Sequence, residues 1–395
     1  MNVLRTAAVG WVVLLAACSL PNVGLWNPNG KADTGLYSLY GGRIAHGELP
    51  YRSGFSMEFP PGAIPALAVP ALPRANYVSW FKAFELLCAA AALGAVAFAL
   101  ADAPPRRRYA AVLVAGAAPA ALGPIVLNSF DLWPSALAAW AVALTLRGRP
   151  RWGLALLGAA TAAKLYPALL APALLAYVVR EHGTRAAKRA LLAAAAVVVA
   201  VFAPFALLAP GGVKASLQEQ ATRGLQIESL GGSALGVAHR LGAGFHVVVS
   251  HAPFSFDISG GAAAALGAAL SLLVLAASAA VWLLLVRAGP VDRARTMRAV
   301  AATAVGFVAF AKVLSPQYLL FLVPLVPLAD SVAASAGLLV VLGLTQVWAR
   351  FPEPFLQITH LGGLIWVVLV RNVALVGLYA LLALGLRRRR TTSNP

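Results

Sequence analysis

Residues 153–179 read GLALLGAATAAKLYPALLAPALLAYVV, an apolar run with Lys164, Tyr166 and Pro167 at its middle. Arginines flank the run on both sides, and it is too long for a comfortable single membrane span. As a hairpin, each arm has about a dozen residues and reaches roughly 18 Å, short of the ~30 Å hydrocarbon core. The turn then lies at depth, where non-helical backbone is tolerated only inside protein or beside a water-filled cavity. The stretch therefore predicts a broken hairpin with Lys164 facing a cavity.

The whole chain has the composition of an integral membrane protein. Of its 395 residues, 61% are hydrophobic and 11% are charged, and the mean hydropathy is +0.81. These values exclude a water-soluble globular domain, a disordered chain and a collagen-like repeat. The apolar runs are continuous, which excludes a barrel of strands that alternate polar and apolar residues. We expect an all-α, polytopic integral membrane protein of about twelve crossings, with residues 1–395 forming a single domain.

The net charge of +18 comes from 31 Lys and Arg against 13 Asp and Glu. The basic residues form short clusters between apolar runs, as in cytoplasmic loops, so we expect membrane lipids rather than nucleic acid as partners. The two cysteines, Cys18 and Cys88, lie in apolar runs and indicate no disulfide. Residues 15–18 also resemble a lipoprotein processing site, so cleavage before Cys18 is an alternative to an ordinary first helix.

The basic clusters test how the chain is divided into spans. They lie at residues 106–108, 147–151, 180–189, 287–298 and 387–390. If all are cytoplasmic, an even number of crossings separates consecutive clusters, which requires two hairpins, at 153–179 and 299–328. The second run is broken at residues 312–318, where a lysine, Lys312, again precedes a proline, Pro316. The other spans are expected near residues 6–25, 77–101, 110–127, 132–146, 190–209, 260–286, 333–349 and 362–386.

The remaining polar residues concentrate in two predicted outer loops, outer loop one at about 26–76 and outer loop two at about 210–260. A charge kept in or beside the bilayer is costly and tends to mark a site. Outer loop one contains Asp33 and Glu58, although Asp33 could instead cap a helix and Glu58 could pair with Arg52. Outer loop two contains Glu219 and Arg223, whose spacing is also that of a helix-surface pair. Its histidines match no metal-ligand spacing, and no cofactor-binding motif is present.

Five segments, in this order along the chain, resemble glycosyltransferase family 87. They are Asp33 with Gly47–Tyr51 and Glu58–Pro61, Asn128–Asp131, Gly158 with Lys164 and Pro167, Gln220–Ser229, and Lys312–Tyr318. The resemblance implies a GT-C-like fold and an inverting mannosyltransferase. Such an enzyme takes mannose from a polyprenyl phosphate donor and gives it to an envelope lipid or glycan acceptor. The family's catalytic base is an early acidic residue of outer loop one, which corresponds here to Asp33.

The resemblance also implies a location and one departure from the family pattern. The enzyme is expected in the bacterial inner membrane, with its active site on the extracytoplasmic side. Phe59 stands where tyrosine is common in the Glu-x-Pro-Pro motif, which leaves the detail of acceptor recognition open.

The chemistry gives a reason for these residue types. Phosphate leaves with a growing negative charge, which cations in a low-dielectric site stabilise. The residues assigned to the donor phosphate are Lys164, Lys312 and Arg223. Phosphate needs no general acid, but the acceptor hydroxyl needs a carboxylate to take its proton, so Asp33 is assigned as the single base that inversion requires. The residues expected to bind the sugar or acceptor are Glu58, Asp131, Glu228, Gln317 and Tyr318.

Other interpretations remain open at this level. Two interrupted hydrophobic segments are also typical of a transporter or a flippase for lipid-linked sugars, although outer loop one is longer than a carrier needs. A GT-C enzyme that transfers another sugar, such as arabinofuranose, and an outward-facing acyltransferase are further alternatives. Both lysines could also serve only the hairpins, as snorkelling or ion-paired side chains.

Overall fold

The computed structural model of the chain describes residues 3–30, 33–251, 254–349 and 352–387. Its helices, in chain order, are α1 Val3–Cys18, α2 Thr34–Ala45, α3 Ile64–Ala68, α4 Tyr77–Ala99, α5 Pro105–Leu122, α6 Leu132–Leu146, α7 Pro150–Ala163, α8 Ala171–Leu208, α9 Pro210–Thr222, α10 Leu230–Arg240, α11 Gly261–Arg287, α12 Arg293–Phe310, α13 Leu322–Leu325, α14 Val332–Ala349, α15 Pro352–Thr359 and α16 Ile365–Leu384. The strands are β1 Leu225–Gln226, β2 Val247–His251 and β3 Phe254–Ile258.

Short 3-10 helices join several of these elements. They are Pro61–Ala63, Val69–Ala71, Gly123–Leu127, Tyr166–Leu170, Pro316–Phe321 and Val326–Ala329.

The expected class, an all-α membrane protein, is confirmed. Within the described residues, six helical regions are long and apolar enough to cross a membrane. They are Tyr77–Ala99, Pro105–Leu127, Tyr166–Leu208, Gly261–Arg287, Val332–Ala349 and Ile365–Leu384. Four apolar helical segments are shorter: Val3–Cys18, Pro61–Ala71, Leu132–Leu146 and Pro316–Ala329.

Basic residues from distant parts of the chain meet at one end of the helices, called here the basic end. Asp102, after α4, forms ion pairs with Arg147 at the end of α6 and with Arg293 at the start of α12. These two guanidinium groups lower the pKa of the Asp102 carboxyl. Arg298 of α12 donates to the carbonyl of Gly385, just after α16. The helices therefore begin or end together, as the grouping of basic clusters predicts.

The apolar run at residues 153–179 is broken at Lys164, which has an extended backbone between α7 and the 3-10 helix Tyr166–Leu170. From there the first part of α8 returns to the basic end, where the Tyr177 hydroxyl donates to the carbonyl of Leu146 over 3.4 Å. We call residues 164–170 the first bend. The broken hairpin that the sequence predicts for residues 153–179 is therefore present, while the cavity expected beside Lys164 stays a prediction.

The chain reverses again within α8, at Gly183. Its φ of +80° is in the region that glycine adopts at little cost. After Gly183 the helix runs back beside α7, so close that a Cβ at Gly158 would overlap the backbone of Ala194. It ends where the rings of Phe205 and Tyr51 meet at 5.5 Å. A basic loop is expected here from residues 180–189, but helix continues on both sides of the glycine.

A second bend follows α12, at residues 311–315. The chain then returns through Pro316–Phe321, α13 and Val326–Ala329 to the basic end, where Arg298 donates to the carbonyl of Ala329 over 3.2 Å. Aromatic rings join the two hairpins, because Tyr166 lies 4.9 Å from Phe307 and 4.5 Å from Phe321 between ring centroids. The hairpins therefore pack together near their bends.

The outer loops contain regular structure. Outer loop one starts earlier than expected, because α1 ends at Cys18, and it carries α2 and α3. Outer loop two carries α9, α10 and a three-stranded antiparallel sheet in the order β1-β3-β2. The all-α prediction did not include this sheet. Its strands pair Leu225 and Val247 with Ile258, and are rich in valine and phenylalanine, which favour strands.

We expect Gly158→Ala to destabilise the protein by about 1–3 kcal/mol, because the added methyl group would push α7 away from α8. The measurement is the Tm of the protein in detergent. Gly377→Ala in α16 is the matched control, because a Cβ there meets no atom within 4 Å. Alanine favours helix over glycine, so the control should keep or raise the Tm. Equal Tm values for the two variants would contradict the close packing.

Candidate active site

Asp33 precedes the first residue of α2, the position of an N-cap, but it does not cap the helix. No side-chain capping bond is formed there within the described residues. The Asp33 carboxylate instead accepts a hydrogen bond of 3.3 Å from the hydroxyl of Tyr37, one turn along α2. The capping interpretation is therefore wrong.

Tyr37 is held in place by a buried aromatic cluster. It is 1% exposed, and its ring centroid lies 5.4 Å from that of Phe81, 5.6 Å from Phe130 and 5.8 Å from Phe59. Burial, followed by the charge of Asp33, raises the pKa of the Tyr37 hydroxyl well above its ordinary value. The hydroxyl therefore keeps its proton and acts as a donor to Asp33.

Asp131 and Lys164 form a buried ion pair at the first bend. The Lys164 ammonium lies 2.5 Å from one carboxylate oxygen of Asp131, and the Ser129 hydroxyl donates to the other oxygen over 2.6 Å. The same ammonium lies 4.9 Å from the ring centroid of Phe130 and 4.8 Å from that of Tyr318. Lys164 is thus held by one charge and two ring faces. The alternative interpretation of Lys164 as an ion-paired side chain thus agrees with its contacts, and its assignment to the donor phosphate stays a prediction.

Asp33 interacts electrostatically with this pair. Burial raises the pKa of the Asp33 carboxyl, and the charge of Asp131 raises it further. Three groups oppose this rise: the Tyr37 hydroxyl most strongly, then the charges of Lys164 and Arg223. Because such effects weaken with distance, these side chains occupy one region.

Glu58 belongs to the same region. Burial raises the pKa of its carboxyl to about 7, and repulsion by Asp33 contributes to the rise. The charges of Arg223 and Lys164 act in the opposite direction. No ion pair joins Glu58 to Arg52 within the described parts of the chain, and Arg52 is exposed. Glu58 therefore faces the charged group that contains Asp33.

Helix α9 connects the two outer loops. Its Ser216 hydroxyl and Gln220 side-chain amide each donate to the backbone carbonyl of Glu58 over 3.1 Å. At the start of α9, a Cβ at Gly212 would overlap the carbonyl of Tyr51. This close contact brings Arg223, which follows the last residue of α9, near outer loop one.

Lys312, at the second bend, contacts outer loop two. Its ammonium donates to the carbonyl of Ala221 over 3.1 Å, and its own carbonyl accepts from the backbone amide of Gln226 over 3.0 Å. The Gln226 side chain donates to the Ser315 hydroxyl over 3.3 Å. Lys312 is therefore placed beside the residues that follow α9, whereas Lys164 belongs to the Asp131 pair. Gln317 is half-buried in the same bend region.

Glu228 lies apart from the Asp33 group and packs against α16. Its backbone carbonyl accepts from Arg371 over 2.6 Å and from the side chain of Asn372 over 3.0 Å. Burial raises the pKa of its carboxyl to about 8, and the charge of Arg371 opposes this rise. The expected contact of Glu228 with sugar gains no support from this position.

Three buried charged residues were not singled out from the sequence: Lys82 and Glu85 of α4 and Arg371 of α16. All three are buried in helices long and apolar enough to span a membrane, which is the signal that could have identified them.

Lys82 stabilises the segment that leads to Asp33. Its ammonium donates to the backbone carbonyls of Gly24, Asn27 and Asn29 over 2.9, 2.7 and 3.0 Å. Glu85, one turn further along α4, interacts electrostatically with Asp131. Helix α4 thus supports the segment before Asp33 through Lys82, whereas the charge of its Glu85 repels that of Asp131.

No group of three or more His, Cys, Asp or Glu side chains that could hold a metal ion occurs among the described residues. The charged groups of the site are instead two cations, Lys164 and Arg223, and three carboxylates, Asp33, Glu58 and Asp131. This set can bind an anion and accept a proton.

Comparison with known proteins identifies the family. The family model for glycosyltransferase family 87 matches residues 59–316, more than half of the chain. The matched range contains the Asp131–Lys164 pair, Arg223 and Lys312, while Asp33 and Glu58 precede it. A search of curated proteins finds no match. The length of the family match shows that this membrane protein belongs to glycosyltransferase family 87.

Proposed function

We propose that the protein is an inverting mannosyltransferase, which moves mannose from a polyprenyl phosphate donor to an envelope lipid or glycan acceptor. Membership of the family supports glycosyl transfer. The observation that carries the proposal is the grouping of Asp33, with its Tyr37 donor, beside the buried Asp131–Lys164 pair. A proton acceptor and a cation for a phosphate then lie in one region.

The proposed orientation has about twelve crossings, the basic end in the cytoplasm of a bacterial cell and the site on the extracytoplasmic face of the inner membrane. Arginines at the basic end support this orientation under the positive-inside rule. Nucleotide sugars are cytosolic, so a transferase with this orientation needs a donor carried by a lipid. The short arms of both hairpins would place the bends within reach of a lipid phosphate.

In the proposed reaction, the acceptor oxygen forms a bond to the anomeric carbon while the bond from that carbon to the phosphate oxygen breaks. The electron pair of the broken bond leaves with the polyprenyl phosphate, and the proton of the acceptor hydroxyl goes to Asp33. Attack opposite the leaving phosphate inverts the anomeric carbon, so one carboxylate is sufficient. The hydrogen bond from Tyr37 favours the ionised Asp33 that this step requires.

Lys164, Arg223 and Lys312 are the proposed ligands of the lipid phosphate. Asp131 holds the Lys164 ammonium in place before the donor arrives, so little reorganisation is needed on binding. Arg223 and Lys312 come from outer loop two and the second bend, and would complete the site from the other side. Glu58, Asp131, Gln317 and Tyr318 are proposed to contact the sugar or the acceptor. The Tyr318 ring already shares the Lys164 ammonium with Phe130.

The first test uses membranes that contain the protein, radiolabelled polyprenyl-phospho-mannose and an extract of envelope lipids. We expect Asp33→Asn to lower the rate of transfer by about 10²–10⁴-fold, because the acceptor hydroxyl loses its base. Glu48→Gln is the control, because Glu48 is an exposed carboxylate of the same loop that pairs with Arg43. Undiminished transfer by a normally inserted Asp33→Asn variant would remove the proposed base.

The same assay separates the alternative functions. Transfer of label from another polyprenyl-phospho-sugar, with none from the mannose donor, would reassign the sugar. Movement of the donor across the membrane without a glycosylated product would indicate a flippase instead.

A further prediction concerns the two lysines assigned to the donor phosphate. We expect Lys164→Met and Lys312→Met each to raise the KM for the lipid donor by roughly ten- to a hundredfold, since a hydrogen bond to a charged group contributes about 1.5–3 kcal/mol. Lys214→Met is the matched control, because Lys214 is an exposed lysine of α9. An unchanged KM for both site variants would assign the lysines to the hairpins alone.

Lys164→Met leaves the buried carboxylate of Asp131 without its partner and could prevent folding. The double variant Lys164→Met/Asp131→Asn removes both charges and provides the folded comparison. It should keep a Tm near that of the parent protein but bind the donor more weakly than the parent protein does. Donor binding at the parental affinity in this variant would contradict the assignment of Lys164.

The rate of transfer is also predicted to depend on pH. Transfer should be lost as pH falls through the pKa of Asp33, because only the ionised carboxylate accepts a proton. The Tyr37 hydrogen bond lowers this pKa, so Tyr37→Phe should move the acidic limb of the pH–rate profile to higher pH. Tyr77→Phe is the control, since the Tyr77 hydroxyl donates to the carbonyl of Leu67 instead. A limb that stays in place in Tyr37→Phe would show that the profile reports another group.

A further inference from the structure

Two groups of cations can be distinguished at the basic end. Those of the first group are half-buried or buried, and their side chains bind carboxylates or backbone carbonyls of the protein; they are Arg107, Arg108, Arg147, Arg293, Arg295 and Arg298. Those of the second group are exposed; they are Arg149, Arg151, Arg180, Arg185, Lys188 and Arg189. Within the described residues, the side chains of the second group form no hydrogen bond or ion pair. The first group holds the helices together, whereas the second group is left to interact with something outside the protein.

The six exposed cations come from two elements that meet at the basic end. Two of them stand at the start of α7, and four flank the reversal of α8 at Gly183. Helix α7 and the second part of α8 both start at this end and touch at Gly158 and Ala194. Six residues before that contact, about 9 Å back along each helix, Trp152 and Lys188 come to the same level. The six cations therefore form one surface, which we call the α7–α8 patch.

The charge of the α7–α8 patch is almost entirely positive. Glu181 is the one acidic residue of the sequence between residues 132 and 218, so six positive charges stand against one negative charge. Neighbouring cations repel one another, and an anion placed among them is attracted by several at once. The patch therefore has the charge needed to bind an anionic group.

The side of α8 that carries these cations becomes apolar further along the helix. Residues 185, 188, 189 and 192 have the spacing i, i+3, i+4 and i+7, so three cations share one side of α8 with Leu192. Leu192 is 68% exposed, and Val199, two turns beyond it on the same side, is 63% exposed. This part of α8 belongs to a helical region that is long and apolar enough to cross a membrane. A charged surface thus continues directly into one that suits hydrocarbon.

Trp152 lies where the charged surface borders the apolar one. It is 69% exposed, and tryptophan is enriched at membrane–water interfaces, where its ring lies at the level of the lipid headgroups. Cations, an interfacial ring and exposed aliphatic side chains follow one another in the order of the headgroup, the interface and the acyl chains of a phospholipid. A soluble anion would match the cations but not the apolar side of α8.

We propose that the α7–α8 patch is a binding site for an anionic phospholipid, whose headgroup lies among the six cations and whose acyl chains lie along Leu192 and Val199. The proposal is independent of glycosyl transfer and of which leaflet surrounds the basic end. Because α7 and the first part of α8 are the arms of the first hairpin, the bound lipid would brace this hairpin at the end opposite Lys164.

The test measures the Kd of the purified full chain, in a neutral detergent, for fluorescently labelled phosphatidylglycerol. A Lys or Arg near an anionic lipid surface contributes roughly fivefold in affinity. The triple variant Arg185→Gln/Lys188→Gln/Arg189→Gln should therefore raise the Kd about a hundredfold. Its Tm without added lipid should equal that of the parent protein, since the three side chains bind no described residue. An unchanged Kd would overturn the proposal.

The matched control is Arg52→Gln/Lys214→Gln/Arg240→Gln. It removes the same charge, also from two arginines and one lysine, but these are exposed residues of the outer loops. We expect its Kd to change less than threefold. A rise as large as that of the first triple variant would show that the net charge of the protein decides binding, and would overturn the assignment to the α7–α8 patch.

Competition with unlabelled compounds identifies what the patch recognises. Unlabelled phosphatidylglycerol should displace the label, whereas phosphatidylcholine, which has no net charge, should displace it at least tenfold less well. Glycerol phosphate and inorganic phosphate, which have no acyl chains, should leave the label bound at the same concentrations. Equal displacement by phosphatidylcholine would reduce the site to an apolar contact, and displacement by either phosphate would make it a site for soluble anions; both results would overturn the proposal.

Discussion

The absence of water from the hydrocarbon core is the constraint on which the structure depends, and the Lys164–Asp131 pair is its clearest expression. An ammonium at the bend between two short helical arms has to be matched by a carboxylate and by polar groups. Asp131 supplies the charge, Ser129 satisfies its second oxygen, and the rings of Phe130 and Tyr318 cover the ammonium. These contacts tie the first hairpin to α6 and to the second hairpin.

The rest of the site is assembled on this pair. Phe130 is also a wall of the cluster around Tyr37, and Tyr37 donates to Asp33, so the aromatic residues join Asp33 to the bend. Helix α9 then brings Arg223 by binding the Glu58 carbonyl through two side chains. The two outer loops and the two hairpins are therefore parts of one arrangement, and a change at the bend is expected to reach all of them.

The sequence predicted the features that follow from local composition. Residues 132–146 coincide with α6, and the interruptions at Lys164 and Lys312 are the places where the helices break. It did not predict partners that are distant along the chain. Lys82 binds carbonyls 53 to 58 residues away, and Arg371 binds one 143 residues away. The reversal within residues 180–189 was expected from their basic cluster, but the continuation of helix on both sides of Gly183 was not, because one φ value decides the turn.

The surroundings of the two carboxyl groups favour Asp33 over Glu58 as the proposed base. Asp33 receives a hydrogen bond from Tyr37, and the charges of Lys164 and Arg223 add to its effect. Glu58 interacts with the same cations, but for this residue the largest effect after burial is repulsion by Asp33. Burial, with repulsion by Asp33 added to it, raises the pKa of the Glu58 carboxyl to about 7, so this carboxyl is partly protonated near neutral pH. A partly protonated carboxyl can donate hydrogen bonds to sugar hydroxyls and accept hydrogen bonds from them. Proton abstraction, in contrast, requires the ionised carboxylate.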